Sequence, residues 1–234
     1  VNVNDARGLE IVLRLVAGAD VFLENFKTGA MDKLGLGPAA LERLNPRLIH
    51  VSLKGFLPGP YEHRTALDEV VQMMGGLAYM TGPEGRPLRA GTSVNDIMGG
   101  MFGAIGVLAA LQQRDNKRSG TDRGQQVQSA LFENNVFLMA QHMLQFAVTG
   151  QAAAPMPSRI SAWAVYDVFE VKGGEQIFLA AVSDTQWASM CGEFGLADLL
   201  ADTRLASNNQ RVLARDWMMP LLRERFAHYS AAEL

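Results

Sequence analysis

Apolar and polar positions in the first half of the chain follow helical and strand periods in turn. Asp5 is placed to cap a helix whose apolar residues recur at helical spacing until Gly18. The short apolar run 19–26 has the composition of a strand buried on both faces of a parallel sheet, and the run 48–56 predicts a second strand. Between them Pro38 opens another helix. This alternation predicts an α/β fold with a Rossmann-like open sheet.

The middle of the chain is predicted to be mostly helical. One helix is expected over 67–80, and another over the apolar stretch that begins at Gly91. In that second helix, small residues lie near one face at positions 99, 103, 106 and 110, a spacing that lets a helix approach another element closely. Residues 119–150 have the pattern of a turn followed by one long helix.

A change of composition after the long helix predicts a second, smaller domain. Residues 151–164 are rich in Ala, Pro and Ser, and we interpret them as a linker. Two β-rich runs around Gly173 and Gly174 then predict a β-hairpin, followed by helices. The expected organisation is a large domain over 1–150 and part of a small α/β domain over 165–234.

Composition excludes several classes of protein. The 234 residues are 48% hydrophobic and 19% charged, with a net charge of -3 and no basic block, so we expect neither nucleic acid nor an anionic membrane as a partner. The apolar run 97–111 is short for a bilayer span. The single cysteine, Cys191, excludes an internal disulfide and favours a reducing, cytoplasmic location. The four histidines are scattered, so no metal site is predicted.

Asp96 is the candidate for chemistry because it stands directly before the glycine-rich helix. Its simpler role is an N-cap, which suits a carboxylate at the positive end of a helix dipole. The same position would let a substrate carbonyl approach, and an Asp carboxylate can attack an acyl group to form an anhydride. The pattern alone favours the cap. GxSxG and GxGxxG motifs are absent from the sequence.

Several blocks in order carry a resemblance to a known family. They are "ADVFLENFKTGAMDKLGLGPAALERLNPRLIHVSLKGF", "GPY", "VVQMMGGLAYMTG", "ND" with the glycine-rich helix, "GVLAALQQR", "SGTDRGQQVQSALFE" and "VYDVFEVKGGEQIFLAAVSDTQW". The chain resembles the class III (CaiB/BaiF) coenzyme A transferase family along almost its whole length. Relative to the family, an N-terminal βα portion and a C-terminal portion are expected to be missing. The resemblance also implies an interlocked homodimer.

The resemblance implies a function for Asp96. In this family the corresponding aspartate attacks an acyl-CoA thioester, which gives an aspartyl mixed anhydride and CoA thiolate, and CoA then passes to a carboxylic acid. Coenzyme A enters as the substrate thioester, and no metal or redox cofactor is expected. The expected partners are therefore an acyl-CoA and a carboxylic acid.

The resemblance also implies residues that bind the substrate. Asn25 and Phe26 of the "ENF" motif, with Lys33 and Leu34 on the following turn, correspond to CoA contacts, and Asp68 corresponds to an acidic position near the active site. Three of these residues have a simpler alternative. Phe26 could belong to the core, Lys33 could be a solvated surface residue, and Asp68 could cap its own helix.

Two alternative functions stay open. Racemases of the family place a histidine before the position of Asp68, because proton exchange at Cα needs a second base, but this chain has Leu67 there. Leucine cannot accept a proton, so the sequence favours a transferase. A non-catalytic acyl-CoA-binding subunit is the other alternative, and retention of Asp96 argues against it. The stretch 155–163 lacks the glycine-rich active-site loop of some family transferases.

Overall fold

The computed structural model describes residues 1–159 and 161–234. The chain divides into two compact units, Val1–Ser158 and Arg159–Leu234. The first unit contains, in chain order, α1 (Ala6–Val16), β1 (Val21–Glu24), α2 (Ala30–Lys33), α3 (Pro38–Leu44), β2 (Ile49–Lys54), α4 (Asp68–Met74), α5 (Leu77–Thr81), α6 (Val94–Asp115), β3 (Gln126–Ala130), α7 (Leu131–Thr149) and a 3-10 turn (Met156–Ser158).

The first unit is built on a parallel sheet of three strands in the order β1-β2-β3. Val51 of the central strand lies opposite Leu23 of β1 and Val127 of β3, and Val51 is fully buried. Helices flank the strands, which confirms the predicted α/β class. Because the strands are parallel, their carboxyl ends meet at one edge, where Glu24 ends β1 and Lys54 ends β2.

Helix α6 packs closely on the sheet because glycines occupy the contact face. A Cβ atom on Gly103 would lie 2.9 Å from the Leu53 side chain, and one on Gly106 would lie 2.5 Å from the Val127 side chain. The close approach expected from the spacing of small residues is therefore confirmed. In length and composition α6 also meets the criterion for a membrane span, a criterion that core helices of soluble proteins share.

Two predictions for the middle of the chain are wrong. Residues 126–130 form strand β3, whereas the pattern predicted a turn and a helix. This strand contains Gln, Gln and Ser, so it has little apolar signal of its own, and its pairing with β2 decides its structure. The helix expected over 67–80 is divided into α4 and α5, because Gly76 adopts a left-handed φ of +88° between them.

The second unit contains the predicted hairpin. Its elements are β4 (Val165–Glu170), β5 (Gln176–Ala181), α8 (Asp184–Glu193), α9 (Ala197–Ala201), a 3-10 turn (Thr203–Leu205), α10 (Asn208–Leu213) and α11 (Arg215–Phe226). The strands pair antiparallel, and Gly173 and Gly174 turn the chain with φ of +86° and +78°. Phe169, Trp187, Leu222 and Phe226 are among the residues of the buried core.

Candidate active site

Asp96 lines a cavity at the edge where the strands of the parallel sheet end. This Asp96 cavity has a volume of about 360 Å³. Its other walls come from the ends of β1, β2 and β3, from a loop residue before α4 and from the face of α6: Asn25, Leu53, Lys54, Gly55, Ala66, Gly99, Ser129 and Leu131. The carboxyl edge of an open parallel sheet is where ligands bind in such folds.

A second cavity, of about 420 Å³, adjoins the first. The two share Asn25, Leu53, Lys54, Gly55 and Ala66. The second, which we name the loop cavity, is completed by the turn after β1 and by the loop between β2 and α4: Phe26, Lys27, Thr28, Glu62, His63, Arg64, Thr65 and Leu67. The two cavities therefore form one cleft, which extends from aromatic and basic side chains to the carboxylate of Asp96.

Asp96 is the third residue of α6 and does not cap it. The helix begins at Val94, and Ser93 is the N-cap residue, without a side-chain hydrogen bond to the helix. The interpretation of Asp96 as an N-cap is therefore wrong. Asp96 is exposed, but partial loss of water and the charge of Asp68 raise its pKa, and Arg89 lowers it by a smaller amount. A carboxylate with a raised pKa is a stronger base, which favours its use as a nucleophile.

Asp68 holds the beginning of α6 although it belongs to α4. Its Oδ1 accepts a hydrogen bond of 2.7 Å from the N–H of Asn95. Its Oδ2 accepts one of 2.5 Å from the side chain of Gln72 and lies 3.9 Å from Arg89. The N-cap position of α4 is Leu67, and Asp68 is its first residue. Asp68 therefore caps the neighbouring helix rather than its own, and its carboxylate is 6% exposed.

A buried ion pair shapes the turn that carries Asn25 and Phe26. Lys54 Nζ lies 2.7 Å from Glu24 Oε1 and donates a hydrogen bond of 2.6 Å to the carbonyl of Phe26. The N–H of Phe26 donates to Glu24 Oε2 at 2.9 Å. Burial raises the pKa of Glu24, but its interactions with Lys54, Ser52 and the N–H of Phe26 together outweigh burial and hold the pKa below its ordinary value. These bonds hold the backbone of the "ENF" turn beside the cleft.

The structure separates the four predicted CoA contacts into two groups. Asn25 lines both cavities, and Phe26 lines the loop cavity. Phe26 is 53% exposed, so the alternative that it belongs to the core is wrong. Lys33 is exposed, and Leu34 packs half-buried against an apolar cluster. Within the described part of the chain, neither Lys33 nor Leu34 lines the cleft.

Sequence reasoning missed several polar residues that line the cleft, among them Lys54, Arg64 and Ser129. Lys54 could have been found, because it ends the second predicted strand and polar residues at carboxyl ends of parallel strands converge. Ser129 was hidden in the strand that the pattern did not predict, and its hydroxyl accepts a hydrogen bond of 3.4 Å from Asn134. Arg64 lies in a loop without periodicity, and the sequence carried no signal for it.

The position that a racemase would need for a base is occupied by an exposed apolar side chain. Leu67 is 63% exposed and lines the loop cavity. His63 lines the same cavity, and its Nε2 lies 3.1 Å from Glu62 Oε1.

The sequence profile of CoA-transferase family III matches residues 1–234. The chain belongs to this family. The resemblance that the sequence blocks indicated is therefore confirmed.

Named relatives and solved structures agree with this membership. The chain is 32% identical over 234 residues to acetyl-CoA:oxalate CoA-transferase of Acetobacter aceti. This alignment covers 99% of this chain and 59% of that protein. It is 30% identical to succinyl-CoA:glutarate CoA-transferase of Mus musculus, with 100% of this chain and 53% of that protein covered. A solved CAIB/BAIF family protein from Brucella suis superposes with a TM-score of 0.84 at 33% identity, covering 100% of this chain and 61% of that chain. The chain thus spans between half and two thirds of these relatives.

Proposed function

We propose that this chain carries the catalytic centre of a CoA-transferase that moves coenzyme A from an acyl-CoA to a carboxylic acid. The observation that carries the proposal is the placement of Asp96. Its carboxylate has a raised pKa and lines the cavity at the carboxyl edge of the sheet. Arg89 pairs with Asp68 and Glu69 rather than with Asp96, so the Asp96 oxygens stay available for attack.

The proposed reaction begins at the thioester carbonyl. An oxygen of ionised Asp96 attacks the carbonyl carbon, the C–S bond breaks, and CoA leaves as its thiolate. The donor acyl group is now joined to Asp96 as a mixed anhydride. An acceptor carboxylate replaces the donor acid on Asp96, and the thiolate attacks the new acyl carbon, which releases Asp96 and the new acyl-CoA. Every step exchanges an acyl group, so the sequence of steps needs no redox or metal cofactor.

The cleft offers contacts for the donor along its length. Asn25 lies between the two cavities and can donate to the pantetheine or to the thioester, while exposed Phe26 can cover an apolar or aromatic part of CoA. Arg64, exposed in the loop cavity, is placed for a phosphate. Lys33 and Leu34 are retained as predicted contacts outside the two cavities.

The named relatives indicate which acids to try first. Their names specify oxalate and glutarate as acceptors and acetyl-CoA and succinyl-CoA as donors. We propose short dicarboxylic acids as the acceptor class for this chain also. Membership of the family further supports the interlocked homodimer, which sedimentation of the complete protein would test.

A trapping experiment tests the proposed function. The complete protein is incubated with succinyl-CoA and hydroxylamine, which intercepts an aspartyl anhydride, and the modified residue is located by mass spectrometry. We expect a hydroxamate on Asp96 and none in Asp96→Asn. Modification elsewhere, or none during active transfer, would refute the assignment.

The same material tests the two alternatives. A racemase would exchange the α-proton of a 2-methylacyl-CoA in deuterated water, and Leu67 in place of a base leads us to expect no exchange. A non-catalytic subunit would bind CoA without forming the adduct.

A further inference from the structure

Gln72 is a buried polar side chain that makes hydrogen bonds to Asp68 and to the segment before α6. It is 0% exposed, and an amide buried in this way is costly unless its polar atoms are paired. Its Oε1 accepts a hydrogen bond of 2.7 Å from the N–H of Ala90. Its Nε2 donates to Asp68 Oδ2 at 2.5 Å and to the carbonyl of Thr92 at 3.4 Å. Both ends of the amide are therefore satisfied.

These bonds connect α4 to the segment that leads into α6. Ala90 and Thr92 belong to the loop before the helix, and Asp68 in turn accepts the N–H of Asn95, the residue before Asp96. Helix α6 receives no side-chain hydrogen bond from its own N-cap residue. Hydrogen bonds to two side chains of α4, Gln72 and Asp68, therefore fix the position of the first turn of α6.

We propose that Gln72 is a positioning residue for the transfer reaction, fixing the first turn of α6 so that Asp96 faces the acyl carbon. The inference rests on the proposed function. Gln72 holds the loop through one end of its amide and orients Asp68 through the other, and Asp68 holds the Asn95 N–H. An error of about 1 Å in the placement of a reacting group can cost about 100-fold in rate. Gln72 would thus affect turnover without touching the substrate.

The charged groups around Gln72 allow a test by pH dependence, which distinguishes a positioning role from a merely structural one. Asp68 and Glu69 on α4, Arg89 in the loop and Asp96 on α6 are the charged groups around this network. In Gln72→Glu the introduced carboxyl faces Asp68. When ionised it cannot donate to Asp68 and repels it, and when protonated it can donate to Asp68 and still accept from Ala90. The variant should therefore recover as the pH falls.

The experiment measures transfer from succinyl-CoA to oxalate by the complete protein at pH values from about 5 to about 8, a range that spans titration of a carboxyl raised by burial. Gln72→Glu should lose about 100-fold in kcat at the upper end, with KM for succinyl-CoA changed less than about threefold. Its rate relative to wild type should rise steadily on acidification. Gln72→Leu should show a similar loss at every pH. The matched control, Gln112→Glu on the exposed side of α6, should follow the wild type.

Unfolding curves at each pH convert every rate to a rate per folded molecule. A ratio of Gln72→Glu to wild type that stays constant with pH would overturn the inference, as would wild-type turnover in Gln72→Leu. Loss of rate that tracks the folded fraction would also overturn it, because Gln72 would then be structural alone. If Gln72→Leu does not fold, the pH dependence of Gln72→Glu decides. Activity in Asp96→Asn would instead refute the proposed function, so the two failures are distinguishable.

Discussion

Replacing Asp96 with asparagine separates the proposed chemistry from the fold. The amide has nearly the same shape as the carboxylate, but its oxygen is too weak a nucleophile to open a thioester. We expect kcat to fall on the order of 10⁴-fold or more, the scale seen when enzymes lose a covalent nucleophile. At about 1.4 kcal/mol for each tenfold change, this is at least about 5 kcal/mol of activation free energy.

The structure limits what the same change can do to stability. The first turn of α6 is held by Asp68 through the Asn95 N–H, so Asp96→Asn removes no cap. It removes a negative charge near the helix N-terminus, which contributes about 0.3–1 kcal/mol, and it also relieves repulsion from Asp68. The two effects oppose each other. The free energy of unfolding should therefore change by less than about 1 kcal/mol, far too little to explain the loss of rate.

The raised pKa of Asp96 adds a pH dependence with a definite sign. Loss of water and the charge of Asp68 raise the pKa above the ordinary value of 3.8. Folding thus favours the protonated form, and this contribution to stability is present below the ordinary pKa and lost as the pH rises through the raised value. Relative to wild type, Asp96→Asn should become more stable over that window. Wild-type kcat should fall on acidification through the raised pKa, because the nucleophile must be ionised.

Chromatography of CoA esters follows transfer, and urea unfolding at several pH values gives the stability of both proteins. A folded Asp96→Asn protein that keeps more than about a tenth of wild-type kcat, a difference of only about 1.4 kcal/mol, would refute the assignment of Asp96 as nucleophile. A stability difference that moves in the opposite direction with pH would refute the electrostatic argument.

Three further changes test the cleft and the packing of α6 on the sheet. Lys54→Met should lower the free energy of unfolding by about 3 kcal/mol, because it leaves buried Glu24 without its cation. The pKa of Glu24 is depressed, so this loss should shrink as the pH falls through its folded value, and equal urea midpoints at neutral pH would contradict it. Phe26→Ala should weaken CoA binding about tenfold in calorimetry with kcat nearly unchanged, since it removes a stacking surface. Gly106→Leu should reduce stability by about 1–3 kcal/mol in thermal unfolding, since Val127 already fills the space, and an unshifted melting temperature would be inconsistent with close packing.

The local sequence pattern predicted those helices and strands whose own apolar, glycine or proline residues indicate the structure. Strands β1 and β2 were predicted from their apolar residues, although the edge strand β1 is only partly buried, and Gly173 and Gly174 mark the turn of the hairpin. Strand β3 could not be predicted in this way. Its Gln-Val-Gln-Ser-Ala sequence fits the sheet because β2 offers a parallel partner from a distant part of the chain.

Residues of the candidate site could be predicted where the residue type suggests chemistry or where the residue belongs to a family motif. Asp96, Asn25 and Phe26 were named from the sequence, and the structure brings them to one cleft. Gln72 could not be predicted as a site residue, because its role depends on hydrogen-bond partners that only the structure shows. Two of its three partners are backbone groups of a loop 18 and 20 residues away in sequence, and the third is the carboxylate of Asp68.

Capping and chemistry are shared between the two aspartates rather than being alternatives for each residue separately. A helix with a nucleophile in its first turn still needs its N–H groups satisfied. If Asp96 itself supplied that hydrogen bond, its oxygens would be engaged by the backbone and its pKa would be depressed rather than raised. Here Asp68 satisfies the Asn95 N–H from the neighbouring helix, and its charge contributes to the raised pKa of Asp96. Asp68 therefore does the capping, which leaves the carboxylate of Asp96 for the proposed reaction.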